Sequence, residues 1–320
     1  MSEVVVPDGW EVKRLGVCCD VLDSQRVPLN SQERLSRKGV YPYYGANGVQ
    51  GYIDDFIFEW ESVLLAEDGG YFSEYATRPI ANFVTGRYWV NNHAHILRAK
   101  SDILNRWIYY SLVHKNILKH INGGTRAKLN QSDLKEILVP LPPLPEQQKI
   151  ASILTSVDEV IEKTQSQINK LQDLKKGTMN ELLTKGIGHT EFKDSPVGKI
   201  PKGWEVGRFD ELATLQRGFD LPVQERVDGK YKIYGSNGVI GFHDDFKVAG
   251  EGVVTGRSGS LGEVWFVGVD FWALNTTLYV KNFHQNHPKF IYYFLIWFDL
   301  SRYGTGTGVP TLNRNDVHNV

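Results

Sequence analysis

With 320 residues, 41% hydrophobic and 23% charged, the chain has an ordinary globular composition and the length for two domains, each able to bury its own core. The longest strongly apolar run, Phe290–Leu300, is about half of what a bilayer crossing needs and is read as a core helix. A formal net charge of −1 excludes a binder that holds nucleic acid through a general basic excess, so positive charge must be concentrated locally or shared with a partner.

From the N-terminus, MSEVVVPDGW has neither a basic flank nor a long apolar run and is not read as a signal peptide. Cys18 and Cys19 are adjacent, too close for ordinary disulfide geometry, and there is no third cysteine. That suits a reducing cytoplasm, the expected location. PDGWEVKRL (Pro7–Leu15) recurs as PKGWEVGRF (Pro201–Phe209), and YYGANGVQGYIDDF (Tyr43–Phe56) returns as IYGSNGVIGFHDDF (Ile233–Phe246). WVNNHAHIL (Trp89–Leu97) matches WALNTTLYV (Trp272–Val280), WIYYSL (Trp107–Leu112) matches FIYYFL (Phe290–Leu295), and KLNQSDLKEI (Lys128–Ile137) matches TLNRNDVHNV (Thr311–Val320). The chain is a tandem duplication whose period is too long for a solenoid, hence two homologous globular domains. Within each copy, short β-rich runs broken by glycine and asparagine predict an α+β domain with a curved, β-rich sheet. One helix is predicted late in each copy, near Asn105–Leu118 and Pro288–Phe298. A Gly-rich loop follows (Gly123–Thr125; Gly304–Gly308), then Asn130 with Asp133 and Asn313 with Asp316 at the spacing of a helix cap.

Between the copies, LVPLPPLPEQQ (Leu138–Gln148) holds four prolines and leads into a helix predicted over Glu146–Lys185, which ends at Gly186 and Gly188. A heptad counted from Ile150 places Ile150, Val157 and Leu171 at one seam position and Leu154, Ile161 and Ile168 at the other, with Lys175 and Thr178 as later polar members. So narrow a stripe is the pattern of a coiled-coil-type helix, which needs another helix against it. Such a helix would run roughly 60 Å, the length of a spacer between two bodies. The predicted organisation is domain 1 with its hinge at residues 1–145, spacer helix and linker at 146–199, and domain 2 at 200–320.

These features together resemble the specificity subunits of type I restriction-modification systems. The resemblance rests on the GWE opening of each repeat, YGxNGVxG, VVTGRSGSLG followed by LNTTLYV, the LNxxD turn and PLPPLPEQQKIASIL, and it covers the whole chain. It implies two target-recognition domains joined by the long helix, each reading half of a split double-stranded DNA sequence. It also implies a non-catalytic chain without a cofactor of its own. Modification subunits would carry S-adenosylmethionine, and restriction subunits would use ATP and magnesium. Val320 aligns with Ile137, so a second hinge and helix of an intact family member would follow there. The expectation drawn from this is self-association through residues 146–185, with Ile150, Leu154, Val157, Ile161, Ile168 and Leu171 as the contact seam. A stand-alone two-headed DNA-binding regulator or a truncated decoy is the alternative.

Signals for chemistry are weak beside this. Asp8, Glu11 and Lys13 superficially match a metal-dependent nuclease pattern, but Lys202 and Gly207 replace Asp8 and Lys13 in the second copy. His93 and His95 could place two imidazoles on one face of a strand, yet Thr276 and Leu278 stand opposite them and no third metal ligand suggests itself. No catalytic or metal site is therefore assigned. For DNA reading the repeat supplies its own comparison: shared positions form the scaffold, and differing positions in matched loops carry different base preferences. Glu67 and Asp68 stand opposite Arg257 and Ser258, Arg126 and Lys128 opposite Val309 and Thr311, and Arg314 opposite Gln131. Arginine pairs with guanine in a bidentate fashion, whereas a carboxylate accepts from the cytosine amino group. Arg78, Arg87 and Arg217 are added for charge in loop-like sequence. Aromatic residues at repeated positions, such as Trp10 with Trp204 and Trp89 with Trp272, are assigned to the core.

Overall fold

The computed structural model describes residues 6–123, 126–306 and 308–320. The signal-peptide reading of residues 1–5, and the parts of the Gly-rich loops at Gly124, Thr125 and Thr307, lie outside the described residues. The chain divides into two compact units, residues 1–165 and 166–320.

In the first unit, Lys38–Gly45 and Gly48–Ile53 form an antiparallel hairpin that closes between Gly45 and Gly48. Gly48 takes a positive φ of 104°, which a side chain would strain, so glycine follows Asn47 at this turn. Trp89–Val90 adds a parallel strand to this small sheet. A second, antiparallel sheet has the order Cys19–Val21, Ala94–Ala99, Ser62–Ala66, Ala81–Val84. Its strand SVLLA is buried at every position and so shows no polar alternation. The helix Asn105–Leu112 packs Trp107, Ile108 and Leu112 into the same core as Val63, Leu65 and Leu97.

The second unit repeats these two sheets strand for strand. Its four-stranded sheet runs Thr214–Arg217, Thr277–Asn282, Gly252–Gly256, Val264–Val267, and its three-stranded sheet runs Gly238–His243, Tyr231–Gly235, Phe271–Ala273. The predicted curved sheet of each copy is thus divided between two smaller sheets, with register shifts in both hairpins. The late helix of the second unit spans Pro288–Phe298, but that of the first stops at Leu112 instead of Leu118. Leu118–His120 is a separate 3-10 turn, preceded by Asn116, whose side chain accepts from the Leu118 N–H. Asn130 and Asn313 do precede short helices, Gln131–Lys135 and Arg314–His318. Only Asn313 caps with its side chain, accepting from Asn315 N–H; Asn130 turns instead to Asp133.

The long helix spans Leu144–Lys185, beginning two residues earlier than the sequence pattern indicates. Pro145 sits in its first turn, where a missing N–H costs nothing. Gln147 explains the entry geometry. Its amide is buried, accepts from the Leu104 N–H at 3.1 Å and donates to the Pro142 carbonyl at 2.9 Å. Glu11–Arg14 pairs antiparallel with Leu138–Leu141, and the Trp107 indole donates to the Pro140 carbonyl at 2.9 Å. The proline-rich segment is therefore a bound strand of the first unit. Ile150 also packs on that core, while Leu154, Val157, Ile161, Ile168 and Leu171 are exposed. Among the described residues, no helix is long and apolar enough to cross a membrane.

Candidate nucleic-acid interface

The loop after the buried strand Ser62–Ala66 carries Glu67 and Asp68. Glu67 N–H donates to the His93 carbonyl at 2.8 Å, and its own carbonyl accepts from Leu129 N–H at 2.7 Å. In the second unit, Arg257 N–H donates to the Thr276 carbonyl at 2.8 Å and its carbonyl accepts from Leu312 N–H at 2.8 Å. Asp68 bridges to Lys128, and Ser258 bridges to Thr311. The two loops therefore occupy equivalent places, with matching backbone hydrogen bonds on both sides and different side-chain chemistry. Gly69 and Gly259 turn both loops through positive φ, 66° and 90°.

Around the first loop the side chains form an ionic cluster. The Glu67 carboxylate takes Arg26 at 2.7 Å and Lys128 at 3.2 Å, and Asp68 takes Arg126 at 2.6 Å and His93 at 2.7 Å. Beneath them His95 is fully buried, with Nδ1 facing Asp23 at 2.6 Å and Nε2 facing the Leu129 carbonyl at 2.8 Å. Burial pushes the Asp23 carboxyl up, but the bond from His95, its charge, the Ile96 N–H and nearby Arg26 together outweigh burial and hold Asp23 below the usual carboxylate value. Asp23, Glu67 and His95 bring potential metal-ligand atoms within 4.8 Å of one another. Arg26 already lies 2.7 Å from Glu67 and 3.7 Å from Asp23, so a guanidinium supplies the charge compensation a metal would bring. The two histidines do not share a strand face as metal ligands: His93 precedes the strand Ala94–Ala99, and each pairs with a different carboxylate.

In the second unit the same neighbourhood is simpler. The Arg257 guanidinium donates to the Asn275 carbonyl at 3.2 Å, and no carboxylate among the described residues lies within ion-pair distance of it. Arg314 donates to Gln216, and Arg217 pairs with Asp220 at 3.1 Å. An open cleft of about 420 Å³ adjoins this region, lined by Asp220, Arg226, Ser236, Asn237, Asn275 and Thr276 among others.

Of the residues singled out from sequence, Glu67, Asp68, Arg126 and Lys128 come together, and Arg257 and Ser258 share one loop. Arg78 and Arg87 are not part of the cluster: Arg78 lies over the Tyr71 ring and pairs with Glu74, and Arg87 lies over Phe56 and pairs with Glu59. Asp8 lies in an exposed turn and Lys13 is spent on its neighbour Glu11. Asp23, Arg26 and the histidines escaped the sequence reading as members of the loop's network. A signal for them existed in the strand pairing, since Val21 aligns opposite Leu97 as Leu215 does opposite Val280. Two residues further on, Asp23 corresponds to Arg217, a second acid-to-arginine exchange between the copies.

Two segments, residues 7–173 and 201–320, match the family described as type I restriction modification DNA specificity domain. The chain belongs to that family. Its relatives include the MjaVIII specificity subunit of Methanocaldococcus jannaschii, 31% identical over 231 residues, covering 68% of this chain and 52% of that protein. The MjaIX specificity subunit of the same organism is 27% identical over 263 residues, covering 69% of this chain and 58% of that protein. The chain spans 38% and 52% of the length of two of the curated relatives it matches. In fold it is similar to the S subunit of a type I restriction-modification system from M. genitalium, with a TM-score of 0.62 and 17% identity over 93% of this chain and 79% of that one.

Proposed function

We propose that this specificity subunit reads a bipartite double-stranded DNA target, one half per unit, inside a complex whose modification subunits carry S-adenosylmethionine. Restriction subunits, with ATP and magnesium, complete the cutting form. The reading supposes a cytoplasmic protein. The domain division 1–145, 146–199 and 200–320 belongs to the same proposal: two readers and a spacer helix that sets the gap and receives the modification subunits on or beside its exposed seam. In the first unit the reading face is Glu67, Asp68, Arg126 and Lys128; in the second it is Arg257, Ser258 and Arg314, with Arg217 beside them. Arg78 and Arg87 are left as peripheral phosphate contacts.

The observation that carries the proposal is the exchange of chemistry on a fixed backbone. Equivalent loops hold Glu67 and Asp68 in one unit and Arg257 and Ser258 in the other. A scaffold residue has no reason to invert its charge between copies, whereas a base reader that serves different half-sites does. Replacing Arg257 by alanine is expected to cost about 1–3 kcal/mol and to relax preference at one base of one half-site. Sequencing of methylated sites from cells carrying the assembled mutant enzyme checks this. An unchanged recognition sequence, or a change in both halves, sinks the assignment.

A further inference from the structure

The two reading faces differ in more than base preference. In the first unit the acids lie beneath and the cations above: Glu67 and Asp68 are 14% and 16% exposed, whereas Arg126 and Lys128 are 63% and 48% exposed. Each of these surface cations is held by one of the two acids, at 2.6 Å for Arg126 and 3.2 Å for Lys128. An approaching duplex therefore meets cations whose charge is already neutralised. Nor can either acid leave easily, because Glu67 is also held by Arg26 and Asp68 by His93. In the second unit the polarity is reversed. The loop itself supplies the cation, Arg257, while Val309 and Thr311 take the places of Arg126 and Lys128.

Non-specific affinity for duplex DNA comes from cations free to displace counterions from phosphates. A cation fixed to a nearly buried carboxylate displaces none until another acceptor replaces that carboxylate. We infer that the first reading face is electrostatically latched, Arg126 by Asp68 and Lys128 by Glu67, so that DNA of any sequence is first held through the Arg257 face. The first unit engages only where DNA acceptors take over both cations. Until that exchange Glu67 and Asp68 are positioning residues that act through Arg126 and Lys128; once the cations move to DNA, the two acids are free to meet bases. This inference rests on the assignment of the two faces proposed above.

The test uses the full chain and a random-sequence duplex, with affinity measured by fluorescence anisotropy over a range of sodium chloride concentrations. The slope of log affinity against log salt counts displaced counterions, about 0.9 per phosphate contact. Arg257→Ala is expected to flatten the slope by about one unit. Arg126→Ala in the otherwise unaltered chain is expected to flatten the slope by less than half as much as Arg257→Ala does. Asp68→Asn is expected to steepen the slope by about one unit and tighten binding several-fold at low salt. Adding Arg126→Ala to Asp68→Asn should return both values to those of the unaltered chain. A merely structural role for Asp68 would not produce that reversal. Should Asp68→Asn fail to fold, Asp68→Ser, the residue type at the equivalent place in the second unit, replaces it, and Arg126→Ala alone still decides. The latch is overturned if Arg126→Ala flattens the slope as Arg257→Ala does, or if freeing Asp68's partner leaves slope and affinity unchanged. If instead no substitution on either face moves the slope, the assignment of the faces fails as well.

Discussion

A carboxylate kept charged inside a fold makes stability depend on pH, and Asp23 is such a group. Its folded-state pKa is held below the ordinary value, so its contribution is complete above that value and is lost as pH falls through the folded pKa. Wild-type chain should lose thermal stability progressively below about pH 4, the ordinary aspartate range. Asp23→Asn should begin less stable, because His95 and the Ile96 N–H lose a charged acceptor, but its melting temperature should fall less between pH 5 and pH 3. Parallel slopes in calorimetric melts of the two proteins would refute this account. At the same scale, what could be read in advance followed from duplication. Aligning the copies was enough to pair Glu67 with Arg257 and Lys128 with Thr311, because the backbone hydrogen bonds that tie Glu67 and Arg257 to their neighbours correspond in the two units. Nothing in the linear order joined Asp23, Arg26 and His95 to Glu67. They meet through strand pairing between Cys19–Val21 and Ala94–Ala99, a contact between residues some 75 positions apart.

Among the elements, the long helix was the most legible because its seven-residue pattern is local, and its start was less so because the signal there is tertiary. Leu144 and Pro145 enter the helix under the hold of Gln147, whose bonds to Leu104 and Pro142 no periodicity reveals. The seam itself divides. Ile150 is covered by the first unit's core, whereas Leu154, Val157, Ile161, Ile168 and Leu171 are exposed. Burying such side chains is worth roughly 1.5–3 kcal/mol each, so covering five would contribute on the order of 10 kcal/mol gross before ordering costs. A second copy packed antiparallel on the same stripe would give a two-fold dimer. Light scattering at tens of micromolar should show a dimer for the chain of this sequence and a monomer for the Ile161→Asp, Ile168→Asp double variant. A monomeric wild type, or a variant that stays dimeric, rules out this use of the seam.

At the scale of the whole molecule the charge balance sets what the chain can do unaided. Its 36 lysines and arginines are matched by 37 aspartates and glutamates. Many of the cations nearest the loops proposed to read DNA are already paired: Arg26 and Lys128 with Glu67, Arg126 with Asp68, Arg217 with Asp220. Specific recognition needs phosphate contacts for register as well as base contacts for discrimination, and a protein that neutralises few phosphates holds neither half-site long enough to read it. The purified chain should therefore show weak affinity for its own target, with little preference over random duplex. On the function proposed above, adding a modification subunit should raise both affinity and preference, with the partner supplying the missing phosphate contacts and the two loops the discrimination. Titrating labelled target and random duplexes with the chain, alone and with the modification subunit, at fixed salt gives both quantities. Tight, sequence-specific binding by the chain alone, with no gain from the partner, would mean that the two faces suffice by themselves and that the shared-clamp explanation of the balanced charge is wrong.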